Sequence, residues 1–116
     1  GKILLAFGDE AQTEKYINSA EFEKFTPFTI TTPDDLRAEL AKIRVQGYAL
    51  SEQEYHDGIR GIGAPVFNYQ DKIVAAVSIT GPVYRLTEER INQELLPLAH
   101  KAASEMSRRL GWSLMR

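Results

Sequence analysis

No cysteine occurs among the 116 residues. That absence removes disulfides, a cysteine nucleophile and thiolate metal sites together, and it fits the cytoplasm. A surplus of positive charge is missing too. Lys and Arg number 14 against 16 Asp and Glu, a formal net charge of −2. The chain therefore lacks the basic excess that grips a nucleic-acid backbone. No apolar run approaches the ~20 residues that cross a bilayer, no charged-then-apolar leader opens the chain, and no repeat or low-complexity tract interrupts it. What remains is the composition of one ordinary domain, 43% apolar and 26% charged, long enough to bury a single core. The first residue is Gly1 and an apolar run begins at once, so the natural start is expected upstream.

Residues 47–81 organise the chain. Two β-rich runs, 58–67 and 73–80, flank a polar segment, 68–72, which is the pattern of a hairpin with a medium-length loop. In the second run Ile73, Ala75, Val77 and Ile79 share one face and belong on a core. Val74, Ala76, Ser78 and Thr80 share the other, which sets two hydroxyls side by side near the strand's end. The opposing run is light in side-chain bulk, with Gly58, Gly61, Gly63, Ala64 and Pro65. Glycine weakens a strand and often marks a bulge or room for a ligand near the backbone. A strand pair with a hollow over one face, hydroxyls lining it, is the expectation.

Helices surround this pair. Residues 2–7 form a short apolar helix stopped at Gly8, and Asp9 with Gln12 caps a second one carrying Tyr16 and Ile17. Phe22, Phe25 and Phe28 follow at three-residue spacing and are expected to anchor the core. Thr32-Pro33-Asp34-Asp35 starts a third helix by cap, N1 proline and dipole. It buries Leu36, Leu40 and Ile43, keeps Arg37, Glu39, Lys42 and Arg44 wet, and ends at Gly47. A short strand at residues 48–50 leads into Ser51. Thr87 caps the last helix, about 23 residues and ~35 Å long, with Leu86 stapled to Ile91. Its expected apolar stripe is Ile91, Leu95, Leu98, Ala99, Ala102, Met106 and Leu110, with a kink at Pro97 and a stop at Gly111. The whole is an α+β domain, a thin mixed or antiparallel sheet backed by helices and a long C-terminal helix. So few strands leave one sheet face wanting cover from an upstream segment or a second molecule.

Several motifs together resemble the C-terminal effector-binding domain of IclR-type bacterial transcriptional regulators, the isocitrate lyase regulator family. Gly47-x-x-x-Ser51-x-x-Glu54, six residues, then Gly61-Ile62-Gly63-x-x-Val66-Phe67-Asn68 is similar to the family signature, with Gly61 standing where Cys, Ser or Ala is usual. AAVSITGPVYRLTEERI at residues 75–91, SEMSRRLGW at 104–112 and the opening GKILLA resemble other family segments. The resemblance covers essentially the whole chain, residues 1–116. It implies a GAF-like sensor: a mixed sheet, helices on one side and an effector pocket on the other. It also implies that the first strands and a DNA-binding winged helix-turn-helix domain lie before Gly1, and that the protein works as a dimer or tetramer. The implied ligand is a small organic acid, and no cofactor is implied.

Carried over position by position, the resemblance marks Ser78, Thr80, Ser51, Ile59 and Gly61 as effector-binding. Gly61 enlarges the pocket or removes a hydrogen-bond partner, and Ser51 in place of Asp removes a negative charge. The family's loop donating backbone N–H groups to the ligand carboxylate is represented here by Gly1 alone. Each residue also has a plainer reading. Ser78 and Thr80 could bond neighbouring backbone, and Ser51 could cap the next turn. Glu54, His56 and Asp57 cluster closely, as metal ligands do, but read as a solvated stretch. His100 is a boundary residue, and Arg85 pairs with Glu88 or Glu89. Ser78 lacks the Gly-x-Ser-x-Gly turn of a serine hydrolase, which argues against an enzyme. The alternative to a sensor is an oligomerisation module whose pocket binds nothing.

Overall fold

The computed structural model describes residues 2–113. Helix α1, Lys2–Phe7, is followed by α2, Glu10–Ser19, and α3, Pro33–Gln46. Three strands come next: β1, Ala49–Glu52; β2, Ile59–Phe67; and β3, Ile73–Pro82. The C-terminal helix runs as Glu88–Arg90, a π-helical turn Ile91–Leu95, and Leu96–Arg109, 22 residues in all. The strands form one antiparallel sheet in the order β1-β2-β3. This is the α+β class that the hydrophobic pattern indicates.

The helix ends behave as their residues dictate. Asp9 accepts the Gln12 N–H, Thr32 the Asp35 N–H and Thr87 the Arg90 N–H, so each cap satisfies a donor that the first turn leaves unpaired. Gly47 closes α3 at φ 84°, a left-handed conformation that glycine adopts without a Cβ clash. In the hairpin loop Asn68 Oδ1 accepts the Gln70 and Lys72 N–H groups. Asp71 takes φ 62° there, and its carboxylate accepts the Trp112 indole N–H at 2.6 Å. Trp112 is thereby pinned to the hairpin, stacked on Phe67 at 5.8 Å.

Two apolar clusters flank the sheet. The C-terminal helix covers the face of Ile62, Ala64 and Val66, burying Leu86, Ile91, Leu95, Ala99 and Ala103 against them. On the other side α1 leans over Ala49 and Gly63, in a cluster of Ile3, Ala6, Ile17, Leu36, Leu40 and Ile43. Burying an aliphatic side chain stabilises by ~1.5–3 kcal/mol, so the clusters hold the helices on the sheet.

The C-terminal helix corrects the expected stripe. Ala99, Ala103 and Ser107 face the core, whereas Leu98 is 55% exposed and Ala102, Met106 and Leu110 also lie outward. The cause is Pro97. It has no N–H for the Gln93 carbonyl and its ring crowds the preceding turn. The helix widens just ahead of it, where the Leu96 N–H bonds the Ile91 carbonyl across five residues. That wider turn re-phases everything after it. Small residues then face the sheet, and Ser107 Oγ accepts the Phe67 N–H at 2.9 Å, where a register shift interrupts the β2–β3 ladder.

The phenylalanines are a second correction. Phe22 packs on the second cluster, but Phe25 and Phe28 are 49% and 53% exposed. Hydroxyls anchor this loop instead. Thr26, 4% exposed, donates to the Gln53 carbonyl at 2.5 Å, and Thr29 donates to the Glu54 carbonyl. The polar face of α3 is also less open than its sequence suggests. Arg44 Nε donates to the Ala6 carbonyl at 2.7 Å, and Glu39 turns toward Lys2. Arg85 is exposed and offers its carbonyl to Arg90 rather than its side chain to Glu88 or Glu89.

Glu52 and Arg60 stand directly opposite across β1 and β2 and pair through two hydrogen bonds of 2.6 and 2.7 Å. Those bonds hold the Glu52 carboxyl below its ordinary value of 4.5. A carboxyl lowered on folding stabilises at pH above the ordinary value and loses that contribution as pH falls through the lowered one. Thermal unfolding of Glu52→Gln beside the parent should show a gap that is constant above about pH 5 and closes as pH falls below the ordinary carboxylate range. A gap that ignores pH would mean that the pair does not set acid stability.

Candidate functional site

The strand register assembles the site. Ala49, Gly63 and Ser78 stand opposite one another across the three strands, and Ser51, Gly61 and Thr80 form the next row. Side chains in register share a face, and this is the face away from the C-terminal helix. A cavity of about 140 Å³ lies here, lined by these six residues with Lys2, Ile3, Ile62 and Ala76. Its floor is glycine. A Cβ added to Gly61 would come within 3.1 Å of Thr80 Oγ1, and one on Gly63 within 3.3 Å of Ile3 Cγ1 and 3.7 Å of Ser78 Oγ. The hollow exists because those two side chains are missing.

Four of the five residues marked in the sequence meet here: Ser51, Gly61, Ser78 and Thr80. Ile59 does not line the cavity. It lies two residues further along β2, half-buried opposite Pro82. Ser51 sits within β1 and does not cap a turn. Gly1 lies outside the described residues. Ala76, Ser78 and Thr80 are exposed, so the cavity opens along β3, and its closed side is built by Gly61, Gly63, Ala49 and Ile3. Among the described residues, none donates to or accepts from the hydroxyls of Ser51, Ser78 and Thr80. Three hydroxyls with unused donors and acceptors surround a small, partly apolar hollow.

Lys2 went unremarked as a site residue. Among the described residues lining the cavity it alone carries a charge. Its side chain is 17% exposed, and Nζ donates to the Leu50 carbonyl and to Glu54 Oε2, each at 2.7 Å. Glu39 Oε1 stands at 3.6 Å. A lysine opening an otherwise apolar run, residues 2–7, is the sequence signal that could have found it, because a half-buried ammonium requires partners.

A larger hollow of about 280 Å³ adjoins the other side of Lys2, walled by Tyr16, Phe22, Phe25, Tyr55 and Glu54. It is more apolar, and the hydroxyls on its wall are those of Tyr16, Tyr55 and Thr29. Glu54, His56 and Asp57 form no metal site: among the described residues no group of three or more His, Asp or Glu is arranged to hold an ion. His100 lies exposed on the outer side of the C-terminal helix. No helix among the described residues is long and apolar enough to cross a membrane.

The family model described as "Bacterial transcriptional regulator IclR C-terminal" matches residues 1–108. The chain is 35% identical to the HTH-type transcriptional regulator KdgR of Escherichia coli K12, over 97% of its own length and 42% of that protein. Its fold is similar to the crystal structure of IclR from Thermotoga maritima, with a TM-score of 0.89 and 40% identity, covering 96% of this chain and 44% of that one. It is also similar to the inducer-binding domain of the PobR transcription factor from Acinetobacter, solved as a double mutant with 3-hydroxybenzoic acid: TM-score 0.84, 28% identity, 91% of this chain and 61% of that one. The chain spans about two fifths of the length of the curated relatives it matches. By its match over residues 1–108, the chain belongs to the C-terminal domain family of IclR-type bacterial transcriptional regulators.

Proposed function

We propose that this domain senses a small organic acid in the cavity over Gly61 and Gly63, as the effector-binding part of a longer regulator. The observation that carries the reading is the ring of Ser51, Ser78 and Thr80 hydroxyls, unpaired within the described residues, around a floor without side chains. Hydroxyls that donate into a partly shielded hollow suit a carboxylate or ketone oxygen. The PobR domain with its hydroxybenzoic acid supports an acid as the ligand class. DNA contact belongs to a separate helix-turn-helix domain of the whole protein, as the naming of the relatives supports, and the work is done in the cytoplasm by binding and not by catalysis. The ligand controls the regulator only through a difference in affinity between arrangements of its subunits.

Calorimetry on the full-length protein with a panel of small organic acids tests this. Ser78→Ala with Thr80→Val should weaken the bound acid about tenfold or more, since each lost charge-assisted hydrogen bond contributes ~1.5–3 kcal/mol. An affinity unmoved by the double change would take the site elsewhere. The second reading, an oligomerisation module, draws on the outward row of Leu98, Ala102, Met106 and Leu110. Sedimentation with and without the bound acid separates the two. A panel without a binder and an unchanged oligomer favour the module.

A further inference from the structure

Lys2 stands where two hollows meet. Its side chain lines both the hydroxyl cavity and the aromatic hollow beside it, while Glu54 lines only the latter. An ammonium has three N–H donors. Two are used at 2.7 Å, on the Leu50 carbonyl and on Glu54 Oε2. The third has only Glu39 near it, and 3.6 Å is beyond a hydrogen bond. The group is therefore held in place by two strong contacts, and a third donor remains without a hydrogen bond on a side chain that lines the cavity. Glu54 is tied in turn, since its Oε2 also accepts the Glu52 N–H at 3.2 Å. Glu39 is not tied by any other contact among the described residues, and it lies on α3, a different element.

From this arrangement we propose that Lys2 reads the acid group of the cavity's ligand with its third N–H, and that Glu39 competes with the ligand for it. The inference rests on the cavity being an acid site. One ammonium between Glu54 and Glu39 already carries an excess of negative charge. A ligand carboxylate adds to it, and the loosely held Glu39 is the group that yields. Binding thus separates α3 from α1 at one contact, so occupancy of the sheet face is felt on the helical layer. The hydroxyls set where the ligand lies, and Lys2 sets that it must be an acid.

The two partners of one ion pair then have opposite effects. A purely structural pair would weaken binding from either side, by loosening α1. In the full-length protein, titrated with 3-hydroxybenzoate and with lactate, Lys2→Met should weaken binding about tenfold to a hundredfold. Glu39→Gln should tighten it about threefold to tenfold, because its neutral amide no longer competes. The uncharged counterparts 3-hydroxybenzamide and lactamide should bind the parent and Lys2→Met equally. Thermal unfolding run on the same samples confirms that each variant is folded, and Glu39→Gln decides the matter if Lys2→Met is not. Weaker or unchanged acid binding by Glu39→Gln overturns the competition, and acid binding by a folded Lys2→Met at parental strength overturns the role of Lys2. A parent protein that binds neither acid overturns the reading of the cavity itself, and this inference falls with it.

Discussion

Gly63→Val is expected to abolish acid binding while the domain still folds. Gly63 lies in the central strand, with Ala49 on one side and Ser78 on the other. A Cβ there would be 3.3 Å from Ile3 Cγ1 and 3.7 Å from Ser78 Oγ. Valine adds two further methyls in the space that a ligand must use. Its preference for strands favours the backbone already present. Forcing it against Ile3 costs ~1–3 kcal/mol of packing strain, a modest share of the ~5–15 kcal/mol that holds a domain together. Melting temperature should therefore fall by roughly 4–12 °C while affinity for the acid falls by about a hundredfold or more. Gly61→Ala is the graded comparison. Its Cβ would meet Thr80 Oγ1 at 3.1 Å, a single rotatable side-chain atom, so a small loss is expected. Equal affinities for the parent and Gly63→Val would show that the ligand does not lie over β2.

Leu40→Ala is expected to bring the largest loss of stability. Leu40 is 1% exposed at the centre of the cluster that joins α3 to α1 and α2. Shortening a buried leucine removes its transfer free energy and leaves a cavity, together about 2–5 kcal/mol. At about 4 °C per kcal/mol for a chain of this size, melting should drop roughly 8–20 °C. Acid affinity should fall as well, since α1 carries Lys2 and Ile3 to the cavity and depends on α3 for its place. A shift under about 3 °C would mean that α3 is not held by this cluster.

Much of this architecture was legible in the sequence for local reasons. Thr32, Pro33 and Gly47 bound α3 because caps and left-handed turns are decided within a few residues. Strict alternation in β3 separated Ala75, Val77 and Ile79 from Ala76, Ser78 and Thr80, and the two sets do lie on opposite faces, whereas Ile73, expected with the first set, packs on the cluster of α1 beyond the register shift at Phe67. Ser51 joins the hydroxyl pair through register, and the family signature had marked it. Where the sequence misled, a distant effect intervened. Leu98 and Met106 read as core by periodicity, but a wider turn before Pro97 rotated them outward. Phe25 and Phe28 read as anchors by hydrophobicity, yet Thr26 and Thr29 took that role through the Gln53 and Glu54 carbonyls far along the chain.

By itself the sequence determined the helices and their ends, the strands and their two faces, and the glycine gap at Gly61 and Gly63. All of these follow from backbone sterics and from short-range alternation of apolar and polar groups. Tertiary structure alone decided that α1 closes one end of that gap, and that Lys2 stands between two carboxylates with a donor to spare. The residues concerned, Lys2, Glu39 and Glu54, are far apart in sequence. Their meeting depends on how the helical layer settles on the sheet, which side-chain packing fixes and no local pattern encodes.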